Sequence, residues 1–240
     1  DEVFADDDFF ALGGDSIVAM SLSSLARKNG YSLRAKDIFE SRVVSVIAGR
    51  LTPLDQKKMV SSVHTGQLSE LPIYRWMDQA GGLDLSYYQA VCIALPDNMT
   101  YQTFRGLVNQ LIAAHSILNA VVQSSKVTVE GSLGSFPVRL FADQKAFPAM
   151  VDYGFEALIQ TPEHQVFPAM RVGYLQGDKQ QAAVFALHHT IVDGVSWRVL
   201  FADISCLLSD PSKELDVSPN SLLDWQTALK NDMPRWQKEQ

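Results

Sequence analysis

Cysteine is nearly missing. The 240 residues hold only Cys92 and Cys206, too few for a disulfide framework and with no CxxC spacing. Both are expected to be buried thiols that behave as small hydrophobes in a reduced, cytoplasmic setting. The five histidines, His64, His115, His164, His188 and His189, make no His-x3-His or Cys/His zinc pattern, so no metal is expected. Basic blocks are missing too. Twenty Lys and Arg stand against 27 Asp and Glu, a formal net charge of −7, so neither nucleic acid nor a membrane surface is an expected partner. No apolar run is long enough to span a bilayer, no secretory leader is expected, and there is neither an internal repeat nor a low-complexity tract. The first residue is Asp1, not Met, so the natural N-terminus is expected upstream. What is present is an ordinary globular composition, 47% hydrophobic, which excludes disorder and allows one large or two small domains.

The most specific string is Asp8-Phe9-Phe10-Ala11-Leu12-Gly13-Gly14-Asp15-Ser16-Ile17. An aromatic pair and a Leu anchor a loop, two glycines permit a tight turn, and Asp15 and Ser16 open an apolar-periodic helix. A bare Gly-Gly-Asp-Ser also suits an ordinary capped helix. The full string resembles the carrier-protein motif of nonribosomal peptide synthetases. That resemblance makes Ser16 the attachment site for a covalent 4'-phosphopantetheine arm. A serine exposed at a helix start suits the role, because an incoming phosphodiester would meet free N–H groups and the positive end of the helix dipole.

Residues 16–29 form the expected first helix, with Ile17, Met20, Leu22 and Leu25 near a helical period and Gly30 as the stop. A short helical turn at Ala35–Phe39 and a helix at Val43–Leu51 follow, ended by Thr52-Pro53. The polar stretch 52–70 reads as a linker, with His64 a solvated residue within it. Beyond Leu71 the pattern mixes periods. Helices are expected at Pro72–Gln79, Thr100–Ala120, Val151–Gln160, Ser196–Leu208 and Ser221–Lys230. Strands are expected at Tyr87–Leu95, Val121–Val129, Phe136–Phe141, Ala169–Leu175 and Gln181–His188, with the first and last two of these in one central sheet under helices.

The second strong signal is Leu187-His188-His189-Thr190-Ile191-Val192-Asp193-Gly194-Val195-Ser196-Trp197. A buried strand, Ala182–Leu187, delivers two histidines to its end. Adjacent strand side chains face opposite sides, so one histidine is structural, satisfied by backbone, and the other is free to act as a base near neutral pH. A lone histidine in this setting is more often a core residue. The spacing His-His-x3-Asp-Gly resembles the active-site motif of the condensation superfamily, related in fold to chloramphenicol acetyltransferase. The resemblance implies that His189 is the working base, with His188 beside it, that Asp193 is mainly architectural, and that Gly194 lets the loop pass close to a thioester substrate.

Val192-Asp193-Gly194-Val195-Ser196-Trp197-Arg198-Val199-Leu200 resembles the epimerization branch, as does Leu71-Pro72-Ile73-Tyr74-Arg75-Trp76-Met77. Tyr74 and Met77 depart from the usual Gln and aromatic there. Trp76 and Trp197 also suit simple core packing. His115, in Ala113-Ala114-His115-Ser116-Ile117-Leu118, occupies a degraded version of another family motif and reads as structural. The implied architecture is a small, partial α-helical carrier bundle over 1–51 that lacks its first helix, a linker over 52–70, and an α/β lobe over 71–240. That lobe would be chloramphenicol-acetyltransferase-like and one half of a two-lobe domain.

The implied partners are an upstream adenylation domain, a phosphopantetheinyl transferase, a carrier-tethered aminoacyl or peptidyl thioester and a downstream condensation domain. The resemblance further implies a glutamate on a second lobe, expected after Met233-Pro234-Arg235-Trp236. Without it the 240 residues are expected to be inactive alone. Two other readings stay open: a condensation domain that forms peptide bonds, and a non-catalytic lobe that docks the carrier and a partner.

Overall fold

A computed structural model describes residues 2–54, 65–84, 86–123, 126–131, 136–142, 147–160, 166–178, 180–215 and 221–236. His64, His164, most of the middle of the expected linker and residues 132–135 lie outside the described residues. The chain divides into two compact units, Asp1–Met59 and Val60–Gln240.

The N-terminal unit contains α1 (Ser16–Lys28), β1 (Tyr31–Ser32), α2 (Ala35–Ser41), α3 (Val44–Ala48) and β2 (Thr52–Pro53), with β1 and β2 paired antiparallel. Its core is Ala19, Ala26, Leu33, Ile38 and Ile47, with Phe9, Leu22 and Leu51 packed around them. Two alanines, not Met20 and Leu25, supply the buried stripe of α1; both larger residues are exposed. The small side chains let the helix lie close to Leu33 and Ile38. Gly13 turns the motif loop at φ +90°, and a Cβ on Gly14 would collide with the Phe9 ring and carbonyl, so both positions require glycine. Asp8 accepts from the amides of Phe10 and Ala11 and from the Arg42 guanidinium at 2.9 Å, which ties the loop to the α2–α3 turn. The third helix is shorter than Val43–Leu51 suggested, because Gly49 ends it and Thr52-Pro53 pairs as a strand within the stretch read as linker.

The C-terminal unit contains β3 (Gly66–Leu68), α4 (Pro72–Gln79), β4 (Tyr88–Leu95), α5 (Tyr101–Ala114), β5 (Ala120–Gln123), β6 (Lys126–Val129), β7 (Val138–Phe141), α6 (Phe147–Ile159), β8 (Val166–Pro168), β9 (Met170–Gln176), β10 (Gln181–His188), α7 (Gly194–Ser209) and α8 (Leu222–Trp236). One sheet has the order β4-β10-β9-β7, antiparallel except for the parallel pair β7–β9. A smaller antiparallel sheet has the order β3-β6-β5-β8.

The central strand β10 is buried from Ala182 to His188. Its odd positions join one cluster, with Ala183, Phe185 and Leu187 against Phe104, Val108, Trp197, Leu200 and Ile204 of α5 and α7. Its even positions join another, with Ala182, Val184 and Ala186 against Met150 and Leu158 of α6. The sheet is therefore covered on both faces, and each fully buried Phe or Leu contributes about 1.5–3 kcal/mol.

The expected long helix Thr100–Ala120 stops at Ala114. His115 leaves helical geometry at φ −124°, and a 3-10 turn at Ser116–Asn119 leads into β5. Val121–Val129, expected as one strand, is the antiparallel pair β5–β6, and the helix expected from Val151 starts at Phe147. Gly66–Leu68, in the stretch read as linker, is the edge strand β3. Cys92 is exposed rather than buried, because it sits on the edge strand β4; Cys206 is partly buried. None of the described helices is long and apolar enough to cross a membrane.

The Arg34 guanidinium meets both oxygens of Asp37, at 2.6 and 2.9 Å, and this holds the Asp37 carboxyl down to about 2. The folded state favours the anion, so its stabilisation is complete above the ordinary carboxylate value of about 4 and is lost as pH falls through the lowered one. Thermal melts of the chain, read at amide signals of the N-terminal unit, are expected to drop between those two values. Asp37→Asn should flatten that drop while lowering the melting point at neutral pH; an unaltered slope would contradict the ion pair's role.

Candidate active site

Strand β10 ends at His188, and the turn 189–193 carries the chain into α7. The strand sends its last rings to opposite faces. His188 follows the even positions inward and is fully buried. Its Nε2–H donates to the Asp84 carbonyl at 2.8 Å, and its Nδ1 accepts from the Thr190 hydroxyl at 2.8 Å. Both nitrogens are thus satisfied in the neutral ring, which packs edge-on against Tyr88. Burial pushes the imidazole below its ordinary value. The Asp84 carbonyl and carboxylate oppose this, and the Arg171 guanidinium adds to it. That guanidinium lies over Tyr88 and closes the C-terminal end of α6 through the Leu158 and Gln160 carbonyls at 2.6 and 2.7 Å.

His189 follows the odd positions and is half-buried. Its backbone N–H donates to the Tyr87 carbonyl at 2.8 Å, and its ring stacks edge-on against Tyr87 at 4.7 Å. A carbonyl can only accept, so the 2.7 Å contact between Nδ1 and the Val192 carbonyl places the ring proton on Nδ1. The lone pair is then on Nε2, which lies 3.4 Å from the Gln89 carboxamide nitrogen. The Trp197 indole N–H donates to the Gln89 Oε1 at 2.8 Å. An indole N–H can only donate, so the amide orientation is fixed, with NH2 toward His189.

Asp193 caps α7. Its Oδ1 accepts from the Ser196 amide at 2.8 Å and hydroxyl at 2.7 Å. Burial pushes this carboxyl up, but the Ser196 hydroxyl and the Ser196 and Val195 amides outweigh it and hold it below the ordinary range. A Cβ on Gly194 would meet nothing within 4 Å, so the fold itself does not demand glycine there. Tyr74 is buried under the same turn and donates to the Thr190 carbonyl at 3.2 Å; burial raises its hydroxyl far above the ordinary value. Trp197 is buried, as core packing suggested, whereas Trp76 is exposed. His115 pairs with Asp203 of α7 at 2.7 Å. Gln89 and Tyr87 carry no signal of their own in the sequence, and Thr190 has no assigned role within the histidine string. Thr190 reaches His188 from two residues along the chain, whereas Gln89 and Tyr87 reach the histidines through the pairing of β4 with β10, which sets Gln89 opposite Leu187 and Tyr88 opposite His188.

In the N-terminal unit, Ser16 is exposed as the first residue of α1. Asp15 is the N-cap, and its carboxylate accepts from the Ile17 and Val18 amides at 2.9 and 2.8 Å. These two N–H groups are therefore not open to an incoming phosphodiester, contrary to the expectation from the motif. The exposed hydroxyl at the start of α1, just after a loop fixed by Phe9, Gly14 and Asp8, still suits covalent attachment of an arm that extends into solvent.

Residues 76–221 match the family described as "Condensation domain", and residues 1–51 match that described as "Phosphopantetheine attachment site". The chain belongs to the condensation-domain family. Its N-terminal portion is a carrier, whose cofactor is covalent 4'-phosphopantetheine. Similar curated proteins are nonribosomal peptide synthetases and their kin. Vanchrobactin synthetase VabF of Vibrio anguillarum is 28% identical over 83% of the chain, and tyrocidine synthase 2 of Brevibacillus parabrevis is 25% identical over 95%. The chain spans only 7% of each of those proteins.

Among solved structures, the epimerization domain of the third module of tyrocidine synthetase B matches with a TM-score of 0.60 at 23% identity, over 72% of this chain and 42% of that one. The condensation domain of the Monacolin K polyketide synthase MokA matches at 0.55 and 17%, over 75% and 42%. Both likenesses establish the chloramphenicol-acetyltransferase-like lobe fold.

Replacing His188 removes a buried ring and two buried hydrogen bonds. His188→Ala is expected to cost about 2–5 kcal/mol in denaturant unfolding. Because the folded state disfavours the charged ring, the wild-type unit should also lose stability as pH falls below the ordinary imidazole value of about 6.5. His188→Gln should weaken that dependence; the same dependence in the variant would mean another group carries it.

Proposed function

We propose that the chain is part of a nonribosomal peptide synthetase in which Ser16 bears the phosphopantetheine arm and His189 is a base of L-to-D epimerization. The arm supplies the thiol that holds an aminoacyl or peptidyl substrate as a thioester. The observation that carries the proposal is the fixed tautomer of His189: the Val192 carbonyl holds the proton on Nδ1, and a half-buried Nε2 lone pair is left to take a proton. Epimerization removes the α-proton and returns one to the other face, so it needs such a base, an opposing acid and stabilisation of the enolate oxygen. The Val195-Ser196-Trp197 stretch and the Pro72-Ile73 start of α4 support this branch. The match to the condensation family keeps peptide-bond formation as the second reading, in which the same Nε2 would take a proton from an attacking amine. An adenylation domain upstream, a phosphopantetheinyl transferase and a condensation domain downstream complete the proposed setting.

Incubation with a phosphopantetheinyl transferase and coenzyme A should add one arm to the protein, and Ser16→Ala should abolish the mass shift. A shift that persists in the Ala variant would place the attachment elsewhere.

In the complete protein, loaded with an L-aminoacyl group, the α-proton should exchange with solvent deuterium. His189→Ala should slow that exchange by roughly 10²-fold or more. Exchange at the wild-type rate would remove His189 as the base. Peptide-bond formation without any α-exchange in the wild type would favour the condensation reading.

A further inference from the structure

The pairing of β4 with β10 and the start of α7 converge on one side chain that neither motif contains. Gln89 and His189 lie on the same face of the sheet, because Gln89 is opposite Leu187 and both point toward the α5 and α7 layer. The Gln89 carboxamide is oriented by Trp197, whose indole N–H takes up Oε1 at 2.8 Å. Its NH2 group stands 3.4 Å from the base nitrogen of His189. At that distance the hydrogen bond is long, so the N–H toward His189 is only weakly engaged. The second N–H of the amide has no protein partner among the described residues. A half-buried, oriented double donor thus stands beside a half-buried lone pair.

Resting on the reading of His189 as the base, we propose that Gln89 is the donor to the carbonyl oxygen of the carrier-bound thioester, and that Trp197 is its positioning residue. In a thioester the carbonyl oxygen lies about 2.4 Å from the α-carbon. A substrate whose α-proton meets His189 Nε2 therefore brings its oxygen into the region that the Gln89 N–H groups face. Removal of the α-proton moves the C–H electron pair into the C–C bond and the carbonyl π pair onto oxygen. The proton ends on Nε2, and the negative charge ends where the amide donates. Reprotonation of carbon on the other face reverses the shift, so nothing is consumed. Because Trp197 holds Oε1 away from the oxygen, the amide presents only its donors, and no reorientation is needed as charge develops. The first residues of α7 thereby gain a chemical role: Asp193 starts the helix, and Trp197 in its first turn sets the polarity of Gln89.

The test uses the complete parent protein, loaded through its own arm with a non-hydrolysable amide analogue of the thioester carrying a 13C carbonyl. The wild type should lower the infrared stretch of that carbonyl relative to Gln89→Met, which keeps the side-chain length and removes the donors. Trp197→Phe should fall between the two. With the thioester itself on the arm, Gln89→Met should reduce the first-order rate of α-proton exchange by roughly 10²–10³-fold. Melting curves for each variant identify loss of fold. If Gln89→Met does not fold, Trp197→Phe decides by the same two readings. An unshifted carbonyl together with an unchanged exchange rate overturns the role of Gln89 and leaves the epimerization reading standing. A carbonyl shift lost in Gln89→Met, in a wild-type protein that shows no exchange, supports Gln89 as the carbonyl donor and overturns epimerization instead.

Discussion

Strand β10 has hydrogen-bonded neighbours on both sides, β4 along all eight residues and β9 along seven. A strand held so on both edges has no freedom to slip, and its register sets which side chain faces which layer. Everything at the site follows from where it stops. His188 is still in the ladder and points into the α6 layer, where the Asp84 carbonyl and the Thr190 hydroxyl satisfy it. His189 is the first residue past the ladder and turns to the α7 layer, where Val192 takes its Nδ1 proton. A slip by one residue would exchange their places and bury the base.

The turn that follows is held from several sides. Asp193 caps α7, Tyr74 of α4 reaches the Thr190 carbonyl, and Trp197 bonds Gln89 across to β4. Contacts from α4, β4 and α7 therefore fix one imidazole. Each contact is ordinary in strength, about 1 kcal/mol net. Their common effect is geometric, since a proton transfer needs its base placed to within a fraction of an ångström.

The local settings of Ser16, His188, His189 and Asp193, capped helix starts and a strand end, were legible in the sequence because they are written in adjacent residues. So was α4, which begins at Pro72 where proline at the first turn predicts it. Strands β9 and β10 were legible from continuous apolar runs around a Gly-Asp turn. The break of α5 at His115 was not, because Ile112, Ile117 and Leu118 keep an apolar spacing through a 3-10 turn that only the entry into β5 requires. Met20 and Leu25 fit the helical period as well as Ala19 and Ala26, and hydrophobicity favoured the larger pair. Gln89 was invisible for a deeper reason. Its role depends on a partner 100 residues later, and no local pattern encodes which two strands will pair.

That separation governs how the lobe comes into being during synthesis. Strand β4 leaves the ribosome roughly a hundred residues before β10, which at about 5–20 residues per second is an interval of about 5–20 s. Through that time β4 exposes an unpaired backbone and apolar side chains, including those of Val91 and Ile93, with no sheet to join. Non-local pairing of this kind also slows folding after release, because the closing loop must be ordered before any contact rewards it. The interval is one in which the nascent lobe has its helices α4 and α5 but not the partner that β4 requires. The base and its carboxamide neighbour meet only once β10 has paired with β4.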